Sequence, residues 1–398
     1  MSQRSFRYYL TVRVLTTTAS EMQAVAVAWQ VYALTHRPLD LGLVGLAQFL
    51  PGILLFLVTG QTADRFPRQR ILQACCAGFA LCSLLLCALT LHGLSSIVPI
   101  YCVLLWNGTV RAFNGPAGQA FLPLLVPVED FPKAVAWNSS IFQAATIAGP
   151  VVGGLLYGWT GSPTPVYCFA AIEYLAALLV LAGIRIRSAP GQRPAASYAM
   201  ALEGLRYIRR YKLILGAISL DLFAVLLGGA VALLPVYARE ILKIGASGLG
   251  ILRSAPGVGA LIMAVAVSRW PLRRHAGAIM LWCVCGFGVF TVVFGFSRRL
   301  GLTLAALALI GACDMVSVIV RHTLVQLSTP DEMRGRVSAV NVVFIGASNE
   351  VGQFESGITA QWFGTVPAVV LGGLGTIAIV ALWAWPFPAL RRVDALVR

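Results

Sequence analysis

The sequence predicts an all-α integral membrane protein, twelve transmembrane helices in two pseudo-symmetric six-helix bundles. Three observations carry this. Apolar runs long enough to cross a bilayer follow one another through almost the whole chain. The short turns between them are strongly basic on alternate sides only. The second half repeats features of the first at one fixed offset.

The runs are 8–34, 40–62, 71–91, 96–118, 134–158, 164–186, 213–237, 246–268, 276–297, 301–325, 336–361 and 366–388. Of the 398 residues 58% are hydrophobic and 11% charged. Soluble domains carry about 25% charged residues, so little soluble mass is expected. The first run, Tyr8 to Leu34, is too long for a signal peptide's apolar region and no small-residue cleavage site follows it. It is expected to be a retained first helix. Pro51, Pro150 and Pro256 fall inside runs, as membrane helices tolerate. The polar stretch 187–212 divides six runs from six. It starts rich in Pro and Gly and ends as a surface helix. The expected organisation is therefore a bundle over 1–186, a cytoplasmic linker over 187–212 and a second bundle over 213–398.

A net charge of +15 invites a nucleic-acid reading, but the positions argue against it. Of 30 Lys and Arg, 21 fall on one side of the expected topology, 5 on the other and 4 within or at the edge of spans. That asymmetry follows the positive-inside rule and puts both termini in the cytoplasm. The expected partner at this stage is membrane lipid, anionic headgroups included, with no nucleic acid; a monomer is expected.

Shifting the chain by 203 residues brings Pro127 onto Pro330, Glu129 onto Glu332, Lys133 onto Arg336, Ala136 onto Ala339 and Asn138 onto Asn341. Gly149 then meets Gly352, and Gly154 meets Gly357. Chance recurrence among glycine-rich helices is the alternative. One register shared by loop charges and helix glycines favours duplication.

The nine Cys lie in apolar runs without metal-ligand spacing, and the four His form no cluster, so no metal site is expected. No Gly-x-Ser-x-Gly elbow and no Gly-x-x-x-x-Gly-Lys-Ser/Thr loop occurs. An enzyme is not expected, and neither ATP nor a bound cofactor is expected.

Polar groups inside spans are costly and therefore informative. In span one Arg13, Thr17, Ser20 and Glu21 form one helical stripe, and Gln23 and Gln30 a second. A helix carrying both is expected to line a wet cavity, with Glu21 as the first candidate for a titrating or substrate-contacting carboxylate. A structural carboxylate paired to a neighbouring helix is the alternative. In span four Asn107, Arg111 and Asn114 share a face, and a buried guanidinium requires an acid or carbonyl partner. Asp221 lies in span seven. Asp314, Ser317 and Arg321 share a face of span ten, but a seven-residue step is about 10 Å along a helix, so Asp314 and Arg321 are not a direct pair. In span eleven Asn341, Ser348, Gly352 and Glu355 fall on one stripe. Glu173 and Glu350 stand outside these patterns.

Between spans two and three runs Gly60-Gln-Thr-Ala-Asp64-Arg65-Phe-Pro-Arg68-Gln-Arg70, a charged hinge that cannot sit in hydrocarbon. Its spacing Gly-x-x-x-Asp-Arg-x-x-Arg-x-Arg resembles the loop between helices two and three of the major facilitator superfamily of transporters. A positive-inside turn with an incidental Asp is the plainer reading of these residues alone. Arg111-x-x-x-Gly115 resembles that superfamily's fourth-helix motif, which implies that Arg111 tunes the protonation of a nearby acid. Gly149-Pro150-Val151-Val152-Gly153-Gly154 resembles the core of the fifth-helix motif of its antiporters. Physically these glycines allow tight packing, and only the resemblance implies antiport.

Two stretches carry a narrower likeness. Arg334-Gly335-Arg336-Val337-Ser338-Ala339-Val340-Asn341 with Phe354-Glu355-Ser356-Gly357, and Arg111-Ala112-Phe113-Asn114-Gly115-Pro116, are similar to the enterobactin-exporter and macrolide-efflux branch. The second-half loop around Arg269 to Arg274 departs from the pattern by lacking Asp-Arg. The resemblance implies proton-coupled efflux of a small amphipathic molecule, a siderophore or a drug, by alternating access across a bacterial inner membrane. It also implies a cavity between the halves, lined by spans one, four, seven and ten, with Glu21, Arg111, Asp221 or Asp314 carrying charge coupling. Asp64 is then expected to bind the unpaired amides at the start of span eleven and hold a cytoplasmic gate shut. Asp64→Asn should lower transport with expression intact, and full activity would remove the gate role. An importer or facilitator of another solute, and a transporter-fold receptor, remain as alternatives.

Overall fold

The computed structural model describes residues 3–93, 96–184, 198–270, 274–391 and 393. Among the described residues every regular element is a helix, which in hydrocarbon satisfies each backbone N–H and C=O within the segment. The first half holds α1 (Gln3–Thr35), α2 (Pro38–Leu54), α3 (Phe56–Arg65), α4 (Arg68–Leu91), α5 (Val98–Phe121), α6 (Phe131–Thr160) and α7 (Thr164–Ala182). The second holds α8 (Tyr198–Arg210), α9 (Lys212–Leu227), the short α10 (Leu234–Val236), α11 (Gly245–Arg269), α12 (Ala276–Phe296), α13 (Leu300–Ser328), α14 (Asp331–Phe363), α15 (Thr365–Trp383) and α16 (Pro388–Arg391).

Among the described residues eight spans are long and apolar enough to cross a membrane by length and composition: α4, α6, α7, α9 with its continuation to Ile241, α11, α12, α13 and α15. The other expected spans are α1, the α2–α3 pair, α5 and α14. They hold many of the polar residues singled out from the sequence, Glu21, Gln23 and Gln30, Arg111 and Asn114, and Asn341 and Glu355.

Two spans are less regular than their sequences suggest. The run 40–62 is split at Leu55 (φ −98°, ψ 3°), one turn beyond Pro51. Leu55 N–H still donates to Pro51 C=O and Thr59 N–H to Leu55 C=O, each at 2.9 Å, so the joint leaves neither amide unpaired. The run 213–237 ends as a helix at Leu227. It continues past Gly228-Gly229 as a 3₁₀ turn (Ala230–Leu233), α10 and a π turn (Tyr237–Ile241). The hinge 60–70 is also mostly helix: Gly60 to Arg65 finish α3, Arg68 to Arg70 open α4, and only Phe66 and Pro67 link them.

The chain forms two compact units. The first contains α1, the chain from Ala47 through α7, and Ile244–Ser254. The second contains Arg37–Leu46, α8 through Lys243, and Ala255 onward. The N-terminal segments of α2 and α11 thus each group with the half of the sequence to which they do not belong. In the first unit α1 lies against α6 and α7, and α4 against α5 and α7, around Tyr9, Phe79, Phe121 and Tyr174. In the second, α12 packs between α13 and α15, and α9 against α13, α14 and α15. Of the expected linker, 187–197 lies outside the described residues. Its remainder, α8, docks on α14, with Gly204 against the Arg336 carbonyl and Ile208 buried beside Ile218 and Val337.

Candidate functional site

The fifth-span motif serves two neighbours at once. A Cβ on Gly149 would stand 2.6 Å from Glu21 Cβ, and one on Gly153 2.7 Å from Met22 Cα, so these two glycines seat α6 on α1. Gly154 faces the other way: a Cβ there would meet Gly250 Cα at 2.8 Å. Its duplicate does the matching job in the second unit. A Cβ on Gly357 of α14 would meet Gly42 Cα of α2 at 3.1 Å. Gly352, the duplicate of Gly149, lies against the Leu226 carbonyl of α9, and Gly229 against Ser356 Oγ and the Gly352 carbonyl. This explains the Gly-Gly break in span seven: a side chain at Gly229 would strike the backbone of α14.

Glu21 is half-buried on α1. On the same helix Arg13 Nε donates to Asn138 Oδ1 of α6 at 3.2 Å, its guanidinium carbon 5.7 Å from the Phe142 ring. Gln23 and Gln30, expected along a wet cavity, face the packed interior of the first unit instead. Ser83 Oγ of α4 donates to Gln23 Oε1 at 2.6 Å. Gln30 Nε2 donates to Thr90 Oγ1 at 2.9 Å, and Tyr167 OH of α7 donates to Gln30 Oε1 at 2.6 Å. All of Gln23, Gln30, Ser83 and Tyr167 are buried. A long amide at these positions satisfies groups on two neighbouring helices, which is the cheaper arrangement in an apolar interior. On α5 Arg111 is exposed and Asn114 half-buried. In the hinge, Arg65 and Arg70 are exposed and Gly60 and Arg68 half-buried, while the Asp64 side chain lies outside the described residues.

The charged centre of the second unit lies between α9 and α13. Asp221 and Arg321 form a buried ion pair, with side chains 8% and 3% exposed. The same Asp221 lines a small cavity with Asp314 and Ser317, one to two turns away on α13, closed by Val284, Phe287 and Cys313. Sequence reasoning placed Asp221 and Asp314 among the candidates but missed Arg321 as Asp221's partner. The signal was present: a guanidinium in an apolar run demands a counter-charge. The second-unit stripe on α14 is mostly internal, with Asn341, Ser348 and Ser356 buried. Glu355 accepts from Thr359 Oγ1 at 2.7 Å. Glu350 accepts from Gln353 Nε2 at 3.2 Å and lies beside Gly45 of α2. On α7, Glu173 is 9% exposed, and its Oε2 has no hydrogen-bond partner.

The sequence profile of the transmembrane secretion effector family matches residues 1–396. Enterobactin exporter EntS of Shigella boydii serotype 4 (strain Sb227) is 27% identical over 380 residues, 94% of this chain and 86% of that one. The protein of the same name from Escherichia coli O139:H28 (strain E24377A / ETEC) matches to the same extent. Among solved structures, a bacterial homologue of the iron transporter ferroportin in an inward-facing state superposes with a TM-score of 0.72 at 15% identity, covering 97% of this chain and 100% of its own. A bacterial homologue of the human lysosomal transporter Spinster gives 0.73 at 13% identity over 98% and 97%. The nucleoside transporter NupG gives 0.71 at 13% over 98% and 99%. The structural likeness establishes the fold, and the chain-long profile match establishes descent: this chain belongs to the transmembrane secretion effector family of major facilitator transporters.

Proposed function

We propose that the chain is a secondary active exporter of a small amphipathic molecule, a siderophore or a drug. It works by alternating access in a bacterial inner membrane, both termini cytoplasmic, with inward proton movement as the driving force. Export is supported by the family and by the named activity of the enterobactin exporters matched over 94% of the chain. The observation that carries coupling is the Asp221–Arg321 pair with Asp314 beside it, ionisable groups kept inside membrane-spanning helices. Structural side chains rarely bring net charge into that environment, so a charge cluster there marks an ion path.

The test is proton movement and solute flux in proteoliposomes under an imposed pH gradient, across a panel of siderophores, macrolides and dyes. Solute-dependent proton flux is the expected result. Solute flux indifferent to the gradient leaves the transporter and removes the coupling. Uptake with no outward movement in either orientation overturns export.

A further inference from the structure

We infer that the exchangeable proton resides on Asp314, in the α9–α13 cavity of the second unit, and that the neighbouring Asp221–Arg321 pair, which compensates itself, leaves that proton to Asp314. The inference rests on the proton-coupled reading above and names its site. The argument is a charge count. Two carboxylates, Asp221 and Asp314, line one mostly apolar pocket, and the guanidinium of Arg321 is paired with the first of them. Arg321 is already paired with Asp221. With Asp314 also ionised the group carries one uncompensated negative charge inside a membrane helix, which is costly. One bound proton removes it.

The surroundings restrict where that proton sits. Among the described residues, the titratable group that α9 turns to the pocket is Asp221, from α13 Cys313 lines it beside Asp314, and from α12 Val284 and Phe287 close it. Arg321 and His322 stand two turns further along α13, and Cys283 is the neighbouring thiol on α12. On α14, which also packs on α9, Glu355 is held by Thr359 and Glu350 by Gln353. On α11, packed on α13 through Pro256 and Gly311, the charged residues are Arg253, one turn before Pro256, and Arg269 at the far end. Asp314 is thus the carboxylate of this group that the ion pair leaves to a proton. The cavity's volume of about 10 Å³ is room for one water molecule. Ser317, one turn from Asp314, offers a hydroxyl to that water.

The test has a readout independent of solute. Infrared difference spectra of the reconstituted full chain across a pH titration should contain a protonated-carboxyl C=O stretch. It should vanish in Asp314→Asn, shift in Asp314→Glu and persist in Glu173→Gln, which controls for a buried acid whose Oε2 has no hydrogen-bond partner. A band that survives Asp314→Asn and disappears in Glu21→Gln or Glu173→Gln overturns the assignment. Flux supplies the second arm, with enterobactin as the probe. Gradient-driven movement should fall to the gradient-free rate in Asp314→Asn, while enterobactin exchange at equal pH persists. A wild-type protein indifferent to the pH gradient defeats the proposed coupling. A gradient-driven wild type whose Asp314→Asn variant is equally gradient-driven defeats this assignment alone, and drive by a sodium gradient defeats both.

Discussion

Two buried polar clusters, one in each unit, solve the same problem by different means. In the first unit Gln23, Gln30, Ser83, Thr90 and Tyr167 join α1 to α4 and α7 through uncharged hydrogen bonds. In the second, Asp221 and Arg321 join α9 to α13 through charge, with Asp314 at the edge. A satisfied neutral network fixes helices in register and has nothing to titrate. A charged group of odd count is a poor scaffold, since breaking it strands a charge, but it can hold and release a proton. On the proposed reading the first cluster is architecture and the second is where coupling takes place.

The largest effect that would test this is at Arg321. Arg321→Met strands Asp221 in an apolar interior and should cost about 3–5 kcal/mol. Thermal unfolding in detergent measures it. Adding Asp221→Asn to that variant should recover most of the loss, and a double variant no better than the single would mean the two groups are not energetically paired. Next comes Gln30→Leu. It leaves the fully buried Tyr167 hydroxyl without its acceptor, and a stranded donor costs about 1–3 kcal/mol. The loss should be the same at every pH from mildly acid to neutral; a loss that varies with pH would blur the distinction between the clusters. Gln23→Leu should be milder, about 1 kcal/mol, because Ser83 Oγ also lies 3.1 Å from the Phe79 carbonyl and keeps that acceptor. Equal losses for the two glutamines would show that the network acts as one unit. The smallest effect belongs to a charged pair outside the interior. Glu203 and Arg336, 2.5 Å apart, tie α8 to α14 with side chains 48% and 34% exposed. Solvent screens such a pair, so Glu203→Gln should cost at most about 1 kcal/mol, and less in high salt.

Much of the fold was legible in the sequence because hydrophobic length and basic turns are set residue by residue. The 203-residue offset was legible too, and glycines that it relates have matched surroundings: Gly154 meets Gly250 as Gly357 meets Gly42. The broken forms of spans two and seven were not legible. A Gly-Gly or Pro inside an apolar run is compatible with a straight membrane helix until a neighbour's backbone occupies the space beside it. The site was legible in residue type and not in pairing. Asp221 and Arg321 lie far apart in sequence, and only the packing of α9 on α13 makes them partners. The stripe through Gln23 and Gln30 misled because helical spacing identifies a polar face without saying whether water or another helix covers it.

By itself the sequence determined that this chain crosses a membrane repeatedly, which turns are basic and which spans carry polar groups. Those properties follow from local transfer free energies summed along the chain. The tertiary structure alone decided which polar groups are consumed as helix-to-helix bonds and which acid is left with a cavity instead of a partner. That choice depends on side chains distant in sequence meeting in three dimensions, where a low dielectric makes each satisfied or stranded group count.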